Sequence, residues 1–181
     1  MRGTRSTATP SPRGKEAGDG AAATPRFDKG TMIETQHLFK ATIEVAEPRD
    51  LGVTPAGRRR IIDIVGGAFE GDRMRGRVLP GGADWQIALS DSVTFLEARY
   101  TIETDDGALI YVRNHGYRHG DPAVIARLVR GEPVDPSEYY FRTTPAFETS
   151  APRYDWLNRR MFIATGARRA AAVELDVYEV T

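Results

Sequence analysis

The sequence predicts an all-β fold: a closed antiparallel β-barrel of about eight strands with one short inserted helix. Apolar and polar residues alternate with a period of two along successive runs between Leu38 and Val180. Turns rich in glycine, proline and aspartate separate these runs at short spacing, the punctuation of a sandwich or a barrel. Several strands carry polar residues on both faces, which suits a barrel with a ligand in its lumen better than a sandwich with an apolar interior.

Each element has its own signal. Phe39, Ala41, Ile43 and Val45 share one face of a first strand, and Leu38, Lys40, Thr42 and Glu44 take the other. A second run, Arg59 to Val65, closes on Gly66-Gly67, read as a bulge or tight bend. A short strand around Met74, Gly76 and Val78 ends in the turn Leu79-Pro80-Gly81-Gly82, and Trp85 to Leu89 begins another. Val93 to Thr104 is the longest run, and Asp105-Asp106-Gly107 turns it back into Ala108 to Asn114. Asp121-Pro122 opens the helix, with Asp as N-cap and Pro at the first position; Ile125, Leu128 and Val129 form its stripe and Gly131 its stop. Tyr139 to Thr144 resumes strand, and Met161 to Thr165 pairs with Ala172 to Val180 across Gly166-Ala167.

The 181 residues suffice for one domain. Residues 1–31 hold almost no large apolar side chain and are expected to form a disordered tail ahead of a single barrel domain at 32–181. Arginine and serine in the tail suit a transit peptide, but Glu16, Asp19 and Asp28 count against one, and a translation start at Met32 is a third reading. No apolar run approaches the ~18–20 residues of a membrane span. Ala21-Ala22-Ala23 is too short for a signal-peptide core, so the expected location is cytoplasmic. Lys+Arg and Asp+Glu balance at 25 each, so no overall field draws nucleic acid or anionic membrane. Arg58-Arg59-Arg60 lacks interleaved aromatics and reads as a solvated strand edge. With no cysteine, disulfides, thiolate metal sites and cysteine nucleophiles are excluded. His115 and His119 are four apart, but Gly116 and Gly120 oppose the helix that would stack them, so neither metal nor organic cofactor is expected. Neither Gly66-Gly67 nor Gly81-Gly82 leads into the Lys-Ser/Thr of a phosphate loop.

Several stretches resemble a family of small proteins known as a domain of unknown function. They are Gly66-Gly67-Ala68-Phe69-Glu70-Gly71, Leu79-Pro80-Gly81-Gly82-Ala83-Asp84-Trp85, Ala98-Arg99-Tyr100-Thr101 and Thr104-Asp105-Asp106-Gly107-Ala108. Tyr139-Tyr140-Phe141-Arg142-Thr143-Thr144-Pro145, Phe147-Glu148-Thr149 and Trp156-Leu157-Asn158 complete the set. The resemblance runs from about Leu38 to the C-terminus. It implies a closed barrel similar to allene-oxide-cyclase-like and calycin barrels, and it brings no established activity.

Candidate site residues follow from chemistry. Asp84 is a carboxylate beside the indole of Trp85, suited to general base work against an apolar wall, or else a turn residue beside a core tryptophan. Arg99 lies mid-strand with Phe95 and Thr101; facing inward it would clamp an anion, or it pairs with Glu97 or Glu148. Arg142 is a second anion clamp, but Thr143 takes the opposite face, so only one of the two points inward in a regular strand. Glu148 after Pro145 is an acid or base at a barrel mouth, or a surface carboxylate. Asn114 could polarise a carbonyl, with Tyr139 and Asn158 as further ligand-binding candidates. The expected function is binding of a small oxygenated metabolite, with cofactor-independent isomerisation, cyclisation or proton transfer. The alternative is a barrel that only sequesters a hydrophobic metabolite. A third reading fills the barrel with side chains and places function in oligomer contacts; homo-oligomerisation is left open.

Overall fold

In a computed structural model, which describes residues 3 and 32–181, the alternating runs form ten strands and one α-helix. These are β1 (Thr35–Val45), β2 (Arg49–Thr54), β3 (Gly57–Glu70), β4 (Arg75–Val78), β5 (Gly82–Ala88), β6 (Val93–Thr104), β7 (Leu109–Gly120), α1 (Pro122–Val129), β8 (Tyr139–Glu148), β9 (Phe162–Arg168) and β10 (Ala172–Val180). The expected tail lies outside the described residues, apart from residue 3. No helix among the described residues is long and apolar enough to cross a membrane.

Every pairing is antiparallel, and the circuit β1–β10–β9–β8–β7–β6–β5–β3 returns to β1, closing an eight-stranded barrel. β3 is long enough to hold two partners on each edge. It pairs with β2 and then β1 along one edge, and with β5 and then β4 along the other. Closure removes free edges from the barrel wall, which leaves β2 and β4 as the two extra strands.

The structure corrects several element ends. β3 runs on through Gly66-Gly67, and the bulge falls where the register with β1 slips between Glu44 and Val45. At Gly67, with φ +131°, a Cβ would stand 2.1 Å from the Thr42 carbonyl oxygen, so β1 crosses closely over a backbone only glycine fits. β7 continues past Asn114 to Gly120, and β8 continues through Pro145 to Glu148. Pro145 is tolerated because β8 pairs with β9 only at Arg142 and Thr143, leaving its missing N–H without a ladder to break. β2 was not anticipated: Leu51 and Val53 are exposed, so it has no apolar face to betray it.

The interior has two apolar regions. The larger packs Phe39, Phe69, Phe147 and Phe162 with Ile110 and Val112, and the 3-10 segment Pro152–Arg159 adds Tyr154 and Leu157. The smaller sits beneath α1, where Ile125 and Leu128 meet Leu96, Tyr139 and Phe141. α1 is capped by the Asp121 carboxylate, which accepts from Ala123 N–H at 2.8 Å, as the sequence predicts.

Candidate functional site

Between these regions lies a lumen cavity of about 40 Å3. At ~10–15 Å3 per water, that is space for about three waters. Strand register explains its lining. Asp84 pairs with Ala98, Ala98 with Asn114, Gly116 with Thr143, and Arg118 with Phe141. Those positions share the inner face, so Asp84, Gln86, Asn114, Arg118 and Thr143 converge, with Arg168 entering from β9. Ile62, Leu96, Phe141 and Leu175 supply apolar wall. Gly116 is part of this design, because a Cβ there would stand 2.1 Å from the Arg142 carbonyl oxygen.

Asp84 is held by two donors. The Gln86 amide nitrogen donates to Oδ2 at 2.7 Å, and the Glu97 backbone N–H donates to Oδ1 at 3.0 Å. Burial pushes its carboxyl above the ordinary range, against the opposing pull of those donors and of Arg118 and Arg60. Arg118 is only 4% exposed. Burial pulls its guanidinium down to about 10, so it remains charged at neutral pH.

The lumen is also short of partners. Gln86 Oε1, Asn114 Oδ1, Arg118 Nε and Thr143 Oγ1 are buried and make no hydrogen bond, although all four residues line the cavity. Buried polar atoms in folded proteins are nearly always paired, each unmet one costing roughly 1–3 kcal/mol. Four around one cavity call for partners inside it: a donor for each of the two amide oxygens and an acceptor for the guanidinium.

The sequence candidates divide. Asp84 and Asn114 line the cavity. Tyr139 is buried beneath α1, and its phenol oxygen accepts from Arg168 N–H at 2.9 Å, beside the lumen rather than on its wall. Trp85 faces outward, in a surface hollow with Arg59, Glu97 and Arg99. Arg99 is exposed and bonded to Glu97 at 2.7 Å, the ion-pair reading, so it is no lumen clamp. Arg142 is on the outer face and lies over the Tyr140 ring, leaving the inward place to Thr143. Glu148 is exposed. Asn158 is exposed and ties the 3-10 segment to β8, accepting from Thr149 N–H and donating to Thr149 O, both at 2.9 Å.

Sequence reasoning did not reach Gln86, Arg118 and Arg168, and it held Thr143 only as the alternative to Arg142 for the inward place. The signal for Arg118 was present: Ile110, Val112, Asn114, Gly116 and Arg118 keep one parity, but the strand was ended at Asn114. For β6 the alternation leaves open which face is inward. Leu96, Ala98, Tyr100 and Ile102 form the inner face, and Arg99 belongs to the other.

A family model described as "Protein of unknown function (DUF3237)" matches residues 33–180. The chain is 45% identical over 148 residues to the UPF0311 protein RPA1785 of Rhodopseudomonas palustris, covering 82% of this chain and 97% of that one. The crystal structure of that R. palustris protein superposes with a TM-score of 0.79, covering 83% of this chain and 98% of its own. A β-barrel-like protein from Acinetobacter baumannii is 42% identical with a TM-score of 0.73, covering 88% of this chain and 99% of that one. An enzyme from Penicillium herquei shares the fold at a TM-score of 0.64 and 19% identity, covering 86% of this chain and 100% of that one.

Proposed function

The chain belongs to the family described as "Protein of unknown function (DUF3237)", which it matches over residues 33–180, and on that premise we propose that its lumen binds a small oxygenated organic metabolite and moves a proton on it. The carrying observation is the set of four buried, unpartnered polar atoms facing the cavity that also holds the Asp84 carboxyl. In this reading the Asp84 carboxylate takes a proton from a carbon beside a carbonyl. The C–H electron pair becomes a C=C bond and the carbonyl oxygen becomes an enolate. Arg118 donates to that oxygen as its charge develops, in a site shielded from water. Asp84 then returns the proton at the same carbon or another, which gives exchange or isomerisation. A carboxyl raised by burial suits both halves, because it holds the proton less reluctantly than an exposed aspartate. Gln86, Asn114 and Thr143 orient the ligand.

The test is deuterium wash-in. Hydroxyacetone, a carbonyl with a hydroxyl to donate, is incubated with the protein in D2O and followed by NMR. Exchange above the buffer rate is expected, with Asp84→Asn lowering it by at least about 100-fold. Binding of hydroxyacetone with no wash-in would favour the purely sequestering barrel.

A further inference from the structure

We infer that the lumen's ligand is an organic anion, a small carboxylate whose charged end is held by a group of arginines toward the α1 end of the barrel. The inference rests on the lumen reading above and adds to it a substrate class and a binding subsite.

Three guanidiniums face inward. Arg118 and Arg168 line the cavity. Arg60 precedes Ile62 and Ile64 on the inner face of β3 and pairs in register with Gln86. Their places along the strands put Arg60 and Arg118 on the same side of Asp84 and Asn114. Arg60 stands one inward step beyond Ile62, the partner of Asp84, and Arg118 stands beyond Gly116 on the strand that carries Asn114. A step of two residues advances about 6.7 Å, so these two arginines lie nearer α1, with Asp84 and Asn114 deeper. All three are close enough to repel: Arg118 is disfavoured by Arg60 and Arg168, and Arg168 by Arg60.

Their charge is only partly answered from within: Asp84 favours charged Arg118, Glu47 favours charged Arg168 and Asp50 favours charged Arg60, each without direct pairing. Among the described residues, Arg60, Arg118 and Arg168 make no ion pair within 4 Å, whereas exposed arginines such as Arg58, Arg77, Arg99 and Arg169 all do. Asp84 is the one carboxylate among the cavity-lining residues, and its bonds go to Gln86 and to the Glu97 N–H. Arg168 spends one terminal nitrogen on the backbone oxygens of Arg169 and Ala172. Nε of Arg60 and of Arg118 is buried with no partner at all. A buried, incompletely bonded guanidinium costs several kcal/mol unless an anion accompanies it. A carboxylate is the anion that answers a guanidinium with two parallel bonds. Its carbon chain would then carry a reactive oxygenated carbon down toward Asp84, and Arg118, with five N–H donors, would serve both the carboxylate and the carbonyl oxygen beside it.

The experiment compares acetoacetate with acetylacetone. They have the same number of heavy atoms and the same enolisable ketone, and differ in carrying a carboxylate or a neutral acetyl group. Binding to the full chain is measured by calorimetry at neutral pH, and wash-in in D2O is measured alongside. Acetoacetate should bind at least about tenfold more tightly. Arg118→Gln and Arg60→Gln should each abolish most of that preference; if the Arg118 variant does not fold, Arg60→Gln alone carries the comparison. Equal affinities, no saturable acetoacetate binding, or full preference retained in the folded variants would each overturn the inference. Preference without wash-in upholds the anion site and removes the proton-transfer reading. Wash-in without preference does the reverse.

Discussion

Asp84 shows how one side chain can be both held and strained. Its two donors fix the carboxyl in the lumen, while burial raises its proton affinity. Between the unfolded and the raised folded value, the folded protein keeps a proton that the unfolded chain has released. Stability therefore falls as pH climbs from the ordinary carboxylate range, near ~3.9, through the raised value. Asp84→Asn removes that slope. Its amide oxygen still accepts from Glu97 N–H, and with the Gln86 amide turned over its nitrogen satisfies Gln86 Oε1, now unpartnered. Melts across about pH 4 to 8 should show the variant gaining on the parent as pH rises. Parallel curves would mean that the carboxyl titrates normally. Asp84 and Asn114 were legible in the sequence because a polar residue in an alternating strand needs a reason. Arg99 misled for the same cause: alternation divides a strand into two faces but does not label them. The labels come from neighbours, here the register of β6 against β5 and β7, which no single strand contains.

At the scale of elements, β3 is the strand on which closure depends. It joins β1 to β5, and where it passes β1 at Gly67 the crossing tolerates no side chain. Gly67→Ala must displace the backbone of β1 as well as adopt a poor φ, so a loss above about 3 kcal/mol is expected. Gly81→Ala is the control. It also has a positive φ, +107°, but has nothing within 4 Å of a new Cβ, so only the conformational cost of about 1–2 kcal/mol remains. Urea unfolding of the two variants should rank them in that order, and equal losses would show that the crossing gives way freely. The central runs β1, β6 and β10 and the capped helix were readable from alternation and cap chemistry. The ends of β3, β7 and β8 were not, because glycine and proline stop a strand only when its neighbours do not carry it onward. Around Asn114, Gly116 and Pro145 they do: β6 continues to pair with β7, and β7 with β8, past each of them.

For the molecule as a whole, the backbone ladder closes on itself among the described residues. Glu34 and Thr181 exchange backbone bonds at 3.1 and 2.9 Å, closing the ladder where β1 begins. A chain starting at Met32 is therefore expected to melt at the same midpoint as the full chain, within error. A drop of several degrees would show that residues 1–31 contribute packing. The two halves of the interior also differ in kind. The end around Phe39, Phe69, Phe147 and Phe162 is a buried apolar cluster, while Arg60 and Arg168 toward the other end are half-buried. A vessel stoppered at its base fills and empties by the same neck. If the lumen binds as proposed and is entered past Arg60 and Arg168, whatever leaves must clear the passage before its successor enters, so traffic is single-file and an abundant product obstructs its own replacement. Such a vessel favours chemistry that one molecule can complete alone.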